Sequence, residues 1–232
     1  MKLSILMPAY NEESTIEEII KRVMKADIKD VKKEIVIVDD GSKDKTAEIV
    51  KKLAKKNKVI KFVQHKKNSG KGAAMITSIK HATGDICIVQ DADLEYDPND
   101  YWKVIKPIVN GKADVVYGSR RLRKSNKKHA GLLFYLGGMS LTLITNILYF
   151  IWITDEPTCY KAFSTKLLKS IPLTCKRFEF CPEITAKIAK RGIKIHEVPI
   201  AYYPRSVEEG KKINIKDWFE AVWTLLKWRF KK

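Results

Sequence analysis

The chain has 232 residues, enough for one sizeable core, and carries 45 Lys and Arg against 27 Asp and Glu, a formal charge of +18. An excess of that size points to an anionic partner: nucleic acid, an anionic membrane surface or phosphorylated substrates. Cys87, Cys159, Cys175 and Cys181 form no C-x-x-C pair, which argues against a zinc module, and a chain of this length needs no disulfide framework.

Strands and helices alternate through the first half. Leu3–Met7 reads as a strand stopped by Pro8, and its apolar run is too short for a signal peptide, so the chain is expected to face the cytoplasm. A helix follows, with Ser14 and Glu17 spaced as a capping box and Ile16, Ile19, Ile20, Val23 and Met24 on one face. Glu34–Val38 is a second strand closed by Asp39-Asp40-Gly41-Ser42, then a helix with Ala47, Val50, Leu53 and Ala54 inward. Val59–Val63 is a third strand, and Asn68-Ser69-Gly70-Lys71-Gly72 opens a third helix to about His81. Ile86–Gln90 is a fourth strand, Asn99–Asn110 a helix, and Ala113–Tyr117 a fifth strand closed by Gly118-Ser119-Arg120. Strands joined by helices predict an α/β fold with a mostly parallel sheet flanked by helices and ligand loops at the strands' carboxyl ends.

The second half differs. Arg120, Arg121, Arg123, Lys124, Lys127 and Lys128 form a basic run, and Ala130–Ile153 then contains no charged residue. That run is long enough to span a bilayer, which takes about 20 apolar residues. A span would set Asp155, Glu183, Arg205 and Lys211 across the membrane from Asp91 and Asp93, however, so 130–153 is expected to be a helix or helix pair, partly buried and partly at the membrane interface. In the tail, Phe219, Trp223, Leu226 and Phe230 form a helical stripe flanked by Trp218, Val222 and Leu225, with Lys216, Lys227, Arg229, Lys231 and Lys232 around it. Tryptophan beside lysine suits a lipid headgroup region; packing on the domain, or pairing with a second subunit in a homo-oligomer, are the alternatives. The expected division is a domain over 1–210 and an amphipathic C-terminal helix over 211–232.

Several strand ends carry chemistry. In Asp91-Ala92-Asp93-Leu94-Glu95 three carboxylates stand two apart, so on an extended backbone they share one side and repel unless a cation sits among them; a solvated acidic turn leading into Asp97-Pro98 is the alternative. Mg²⁺ or Mn²⁺, shared with substrate phosphates, suits such a set of ligands (Asp91, Asp93 and Glu95). Asp39-Asp40 could accept hydrogen bonds from a nucleobase or ribose, or cap the following turn. Lys71 at a helix start could meet phosphate, although the P-loop spacing is absent.

Pro8-Ala9-Tyr10-Asn11-Glu12, Val38-Asp39-Asp40-Gly41-Ser42, Asn68-Ser69-Gly70-Lys71-Gly72, Asp91-Ala92-Asp93 and Gly118-Ser119-Arg120, in that order, resemble family 2 glycosyltransferases of the GT-A fold, in the branch of dolichyl-phosphate mannose and glucose synthases. The resemblance covers nearly the whole chain. It implies that Pro8, Tyr10, Glu12, Val38 and Asp40 hold the nucleoside, that Asp91, Ala92 and Asp93 meet metal and diphosphate with Glu95 also facing the metal, and that Arg120 contacts phosphate. Thr154 to Lys161 resembles the family's acceptor-side segment, with Thr158-Cys159-Tyr160 where mannose synthases have a Ser-Gly-Phe-like sequence, which leaves the sugar open. Phe178 to Glu183 also fits the branch, and Arg205 with Gly210-Lys211-Lys212 would close over the diphosphate.

The expected activity is transfer of a sugar from UDP- or GDP-sugar to a polyprenyl, dolichyl-type phosphate at the cytoplasmic membrane face, metal-dependent and inverting. Asp93, Asp155, Arg205 and Lys211 are the expected catalytic residues. Cations would stabilise the leaving diphosphate, and a phosphate nucleophile needs little base; a hydroxyl acceptor would need one, for which Asp155 is the first candidate. Two rivals come from other classes. A sugar-nucleotide pyrophosphorylase would want a Gly-rich loop where Pro8-Ala9-Tyr10-Asn11-Glu12 stands, and a nucleic-acid binder would be repelled by the strand-end acids, so no nucleic-acid partner is expected.

Overall fold

A computed structural model describes residues 1–126, 131–205, 212 and 214–231. Lys127, Lys128, Gly210, Lys211 and Lys232, which figure in the sequence reading, lie outside the described residues. One sheet holds β1 (Lys2–Ala9), β2 (Lys32–Asp39), β3 (Ile60–Gln64), β4 (Ile86–Val89), β5 (Val115–Ser119), β6 (Lys161–Ser164) and β7 (His196–Pro199), in the order β3-β2-β1-β4-β6-β5-β7. All neighbours run parallel except β6, which lies antiparallel to both β4 and β5. Helices cover both faces of the sheet's middle, so β1, β2 and β4 are buried on both sides and read as continuous Val, Ile and Leu rather than as alternation.

The connecting helices are α1 (Ile16–Lys25), α2 (Thr46–Lys56), α3 (Lys71–His81) and α4 (Tyr101–Val109). Ile16, Ile19, Ile20 and Val23 are the buried stripe of α1, while Met24, expected inward, is exposed. The Ser14–Glu17 capping box does not form. Thr15 stands at the cap, with its hydroxyl on the Glu12 carboxylate at 3.0 Å, because the Glu12 carbonyl already accepts from Thr15 and Ile16. Val59, expected in β3, lies outside that strand and is exposed. A short 3₁₀ turn over Pro98–Asp100 precedes α4.

The uncharged run is one helix, α5 (Leu132–Tyr149), ended by Phe150 in the left-handed region at φ 54°. No described helix is long and apolar enough to cross a membrane. After α6 (Thr165–Ser170), α7 (Phe180–Lys190) and α8 (Ile215–Phe230) pack with α5 around Leu141, Tyr149, Ala186, Ala221 and Leu225. The Trp218 indole N–H donates to the Gly137 carbonyl at 3.1 Å, and the Tyr149 hydroxyl donates to the Leu225 carbonyl at 2.7 Å. The tail stripe is therefore one face of a packed helix, but the outward one. Phe219, Trp223 and Phe230 are exposed, Leu226 is half-buried, and Leu225 and Ala221 point inward.

Gly70, just before α3, has φ 95°, and a Cβ there would lie 2.2 Å from the Lys176 carbonyl oxygen. That oxygen accepts from the Ala73 N–H at 3.1 Å, so the 174–177 segment crosses the start of α3 at backbone contact. Gly70→Ala is expected to lower the melting temperature by roughly 5 °C in a thermal scan, through both φ strain and this clash.

Candidate active site

The carboxyl ends of β1, β2, β4 and β5 share one edge of the sheet, and a cavity of about 1390 Å³ opens over them. One half is bordered by Pro8, Ala9, Tyr10, Asp40, the 68–71 loop, Asp91, Ala92 and Asp93; the other by Arg120, Arg121 and Arg123 with α5 and α8. Glu12, Glu95, Lys71, Arg205 and Lys212 border it too. Of the sequence-predicted residues that are described, Val38 and Asp155 do not. Val38 is buried within β2, between Pro8 of β1 and Val63 of β3.

In the first half, paired aspartates hold the frame. Asp39 accepts from the Ser42 N–H at 3.3 Å and from the Gln64 amide at 3.1 Å, closing the turn. Asp40 accepts from the Ser69 N–H at 3.0 Å and the Gly70 N–H at 2.7 Å, and meets His65 Nδ1 at 2.7 Å. It thus fixes the 68–70 loop as well as facing the cavity.

The acidic segment is not extended. Leu94 takes φ 63°, costly for a branched side chain, and the chain turns there, so Asp91, Asp93 and Glu95 do not line up as on a strand. Asp91 meets one cation instead, while Asp93 and Glu95 share another. Lys71 Nζ sits 2.6 Å from Asp91; burial alone would lower its ammonium, but Asp91 outweighs this and holds it well above the ordinary lysine value. Arg205 Nη2 lies 3.0 Å from Asp93 and Nη1 3.4 Å from Glu12, while the Arg205 backbone N–H donates to Glu95 at 2.9 Å. Glu95 also accepts from the Tyr202 hydroxyl at 2.9 Å. Burial, then the charges of Asp91 and Glu95, push the Asp93 carboxyl up to about 7 despite Arg205.

Among the described residues no group of three or more acid, histidine or cysteine side chains is placed to hold a metal ion. The donors nonetheless suit one hard divalent cation. Mg²⁺ commonly takes one or two carboxylates and completes its shell with substrate phosphates and water, and Asp91, Asp93 and Glu95 all border the cavity where such a group would sit.

In the second half, Arg120 is bound into the wall. Its backbone N–H and Nε donate to one Asp155 oxygen at 2.9 and 2.7 Å, and Nη2 donates to the other at 2.7 Å. Asp155 is fully buried, yet Arg120 overrides that burial and holds its carboxyl below the usual carboxylate range. The candidate base is therefore taken up in a bidentate ion pair beneath the cavity floor, where it orients Arg120. The Arg120 guanidinium stacks 4.9 Å from the Tyr202 ring, and that of Arg121 5.0 Å from the Tyr135 ring.

The sequence reading missed Tyr96, Tyr202 and Glu156. Tyr96 stacks on Tyr160 with ring centroids 4.8 Å apart and accepts the Cys159 N–H at 3.0 Å, fixing the segment after Asp155. Glu156 is fully buried, its carboxyl raised by burial, with one oxygen on Thr185 at 3.0 Å and the other without a partner. Adjacent carboxylates in Asp155-Glu156 were visible in the sequence; which one faced a cation was not.

A family profile described as glycosyl transferase family 2 matches residues 4–171. The chain belongs to glycosyl transferase family 2. It is 33% identical over 240 residues to the UDP-N-acetylglucosamine–dolichyl-phosphate N-acetylglucosaminyltransferase of Methanococcus voltae, covering 96% of this chain and 94% of that relative. It is 30% identical to the dolichol-phosphate mannosyltransferase of Pyrococcus furiosus, over 98% of this chain and 64% of that longer protein. Among solved structures, Mycobacterium tuberculosis glucosyl-3-phosphoglycerate synthase in complex with Mn²⁺, UDP and phosphoglyceric acid superimposes with a TM-score of 0.72 at 20% identity, over 100% of this chain and 79% of that one. The fold is the GT-A fold, and the protein is a glycosyltransferase similar to dolichyl-phosphate sugar transferases.

The raised Asp93 has a thermodynamic consequence. Its folded value near 7 lies above the ordinary value of 3.8, so between about pH 4 and 7 the native state binds a proton that the unfolded chain does not. Metal-free stability therefore falls as pH rises through that window. Asp93→Asn is expected to flatten this fall and to raise the melting temperature at pH 8 but not at pH 5, as read by scanning calorimetry.

Proposed function

We propose that this family 2 glycosyltransferase moves a sugar from a UDP- or GDP-sugar to a polyprenyl, dolichyl-type phosphate at the cytoplasmic membrane face, with inversion at the anomeric carbon. The observation that carries this reading is the continuity of the cavity. It runs from an acid-and-lysine end, through three arginines, to helices whose outer faces are apolar and exposed.

In the donor half the nucleoside lies against Pro8, Ala9, Tyr10 and Asp40, with its diphosphate towards Asp91 and Asp93. Mg²⁺ or Mn²⁺ bound there supplies Lewis-acid stabilisation of the departing diphosphate. Lys71, Arg205 and Lys212 supply positive charge from the protein to the same group, where charge grows in an oxocarbenium-like transition state. Arg120, Arg121 and Arg123 offset the repulsion between two phosphates as the acceptor approaches. A lipid phosphate is ionised near neutral pH and attacks without a general base. The ion pair that takes up Asp155 supports this acceptor over a sugar hydroxyl, for which Asp155 was the candidate base. The names of the Methanococcus and Pyrococcus relatives support the lipid acceptor, and the Mn²⁺ and UDP held by the mycobacterial neighbour support the metal and nucleotide.

The outer faces of the helices support membrane attachment. Leu133, Leu136, Leu143 and Ile147 of α5, then Phe150 and Trp152, are exposed, as are Ile215, Phe219, Trp223 and Phe230 of α8. Lys216, Lys227, Arg229 and Lys231 fringe that surface. Apolar and aromatic side chains would enter the interface while cations meet anionic headgroups, holding the protein peripherally with the cavity mouth towards the lipid.

A donor screen tests the chemistry. UDP-glucose, UDP-N-acetylglucosamine and GDP-mannose would each be offered with dolichyl phosphate in detergent and Mn²⁺ or Mg²⁺, following lipid-soluble label. One donor is expected to give metal-dependent label that Asp93→Ala abolishes; donor turnover without lipid label would move the acceptor to a glycan hydroxyl. Separately, replacing Trp223 and Phe230 together with Ser is expected to weaken sedimentation with anionic liposomes at least tenfold while donor hydrolysis in detergent persists. Unaltered sedimentation would sink the membrane face.

A further inference from the structure

Glu12, Asp91, Asp93 and Glu95 converge on the donor half of the cavity, and each already touches a cation of the protein. Lys71 takes Asp91 at 2.6 Å, and Lys212 takes Glu12 at 2.6 Å. Arg205 takes the rest. Its Nη2 is 3.0 Å from Asp93, Nη1 is 3.4 Å from Glu12, Nε is 3.8 Å from Glu95, and its backbone N–H donates to Glu95 at 2.9 Å. One guanidinium thus bridges three acids that would otherwise repel each other, and it occupies a carboxylate oxygen of Asp93, the residue a divalent ion would have to share. Its Nε is buried with no hydrogen-bond partner, so the guanidinium keeps one unused donor. Leaving a buried charged donor unpaired is costly, and a fork of N–H groups matches phosphate oxygens better than it matches scattered single carboxylate contacts.

We propose that Arg205 is the resident counter-cation of this acid cluster, exchanged on substrate binding: the metal ion that arrives with a nucleoside diphosphate replaces the guanidinium on Asp93, and Arg205 moves to the diphosphate. This rests on the nucleotide-sugar reading above and adds a binding order to it. A bare divalent ion must evict Arg205 into water, whereas an ion carrying a diphosphate gives the evicted arginine a new anionic partner. Metal alone therefore binds weakly, and metal with nucleotide binds as a unit. No covalent step is involved.

The test is a titration of Mn²⁺ alone, at pH 8, into wild type and Arg205→Gln, reading free Mn²⁺ by electron paramagnetic resonance, followed by UDP and GDP titrations at saturating Mn²⁺ by calorimetry. Arg205→Gln is expected to bind bare Mn²⁺ about tenfold more tightly, a difference of about 1.4 kcal/mol, and the nucleotide at least tenfold more weakly. These opposite signs are the signature of exchange; a merely structural role for Arg205 would weaken both. Lys124→Gln, which removes a cation bordering the same cavity without a pairing to these acids, controls for long-range charge. Unchanged or weaker Mn²⁺ binding in Arg205→Gln, or an equal gain in Lys124→Gln, overturns the proposal. Should Arg205→Gln not fold, Arg205→Lys carries the test: its single ammonium cannot bridge three acids, so tighter bare Mn²⁺ binding upholds the exchange and wild-type binding overturns it. Failure of wild type to bind either nucleotide with Mn²⁺ present would instead overturn the functional reading.

Discussion

Like charge gathered at the edge of a parallel sheet is the constraint around which the rest of this molecule is arranged. Parallel strands deliver all their carboxyl ends to one side, and here those ends and their loops bring Glu12, Asp40, Asp91, Asp93 and Glu95 to one cavity. Acids placed so close are tolerated only when cations come to them, from distant parts of the chain. Lys71 arrives from the start of α3, and Arg205 and Lys212 from beyond β7. The approach of Lys71 depends on Gly70, whose missing side chain lets α3 begin against the Lys176 carbonyl. Even so, burial together with the charges of Asp91 and Glu95 outweighs Arg205, and the Asp93 carboxyl stays raised.

A second charge arrangement works in the opposite sense. Arg120 and Asp155 neutralise each other deep in the wall, which makes a fully buried acid the fixture for an arginine that borders the cavity. Breaking such a buried pair by removing one partner typically costs about 3–5 kcal/mol, so Asp155 matters to the fold whatever the acceptor is. The two halves of the cavity thus differ in kind: one presents acids relieved by lysine and arginine, the other presents arginines seated on buried acid and aromatic rings.

Much of the fold was legible because five strands and four helices announce themselves by composition. Buried parallel strands such as Ile35–Val38 or Ile86–Val89 are unbroken apolar runs, and α1 shows its stripe at helical spacing. The antiparallel β6 and the edge strand β7 were not legible. Each has four residues, too few for periodicity to register, and β6 reads Lys161-Ala162-Phe163-Ser164 with its lysine fully buried over the Tyr117 ring. In the site, the residue types were visible and their partners were not. The spacing of Asp91, Asp93 and Glu95 fits a strand, but the left-handed Leu94 turns the chain; Ser14 and Glu17 fit a cap, but Thr15 stands there, with no capping bond from its side chain. The tail stripe was visible as a stripe, while its direction depended on which face α5 and α7 would take.

The place of β6 has a consequence for how the chain can be assembled. β6 joins two portions of the sheet that are otherwise unconnected by hydrogen bonds: β4 on one flank, and the β5–β7 pair on the other. During synthesis β1 to β4 emerge first and can pair, but β5 then has no neighbour in the sheet until Lys161 to Ser164 follow. Until that moment β4 presents a naked edge of Ile, Cys and Val to any passing strand. A fragment ending before Lys161 would hold the strand-end acids and Lys71 but neither Arg205 nor Lys212, and would be a sticky half-sheet, so β6 is also the clasp that makes the nascent protein safe from aggregation.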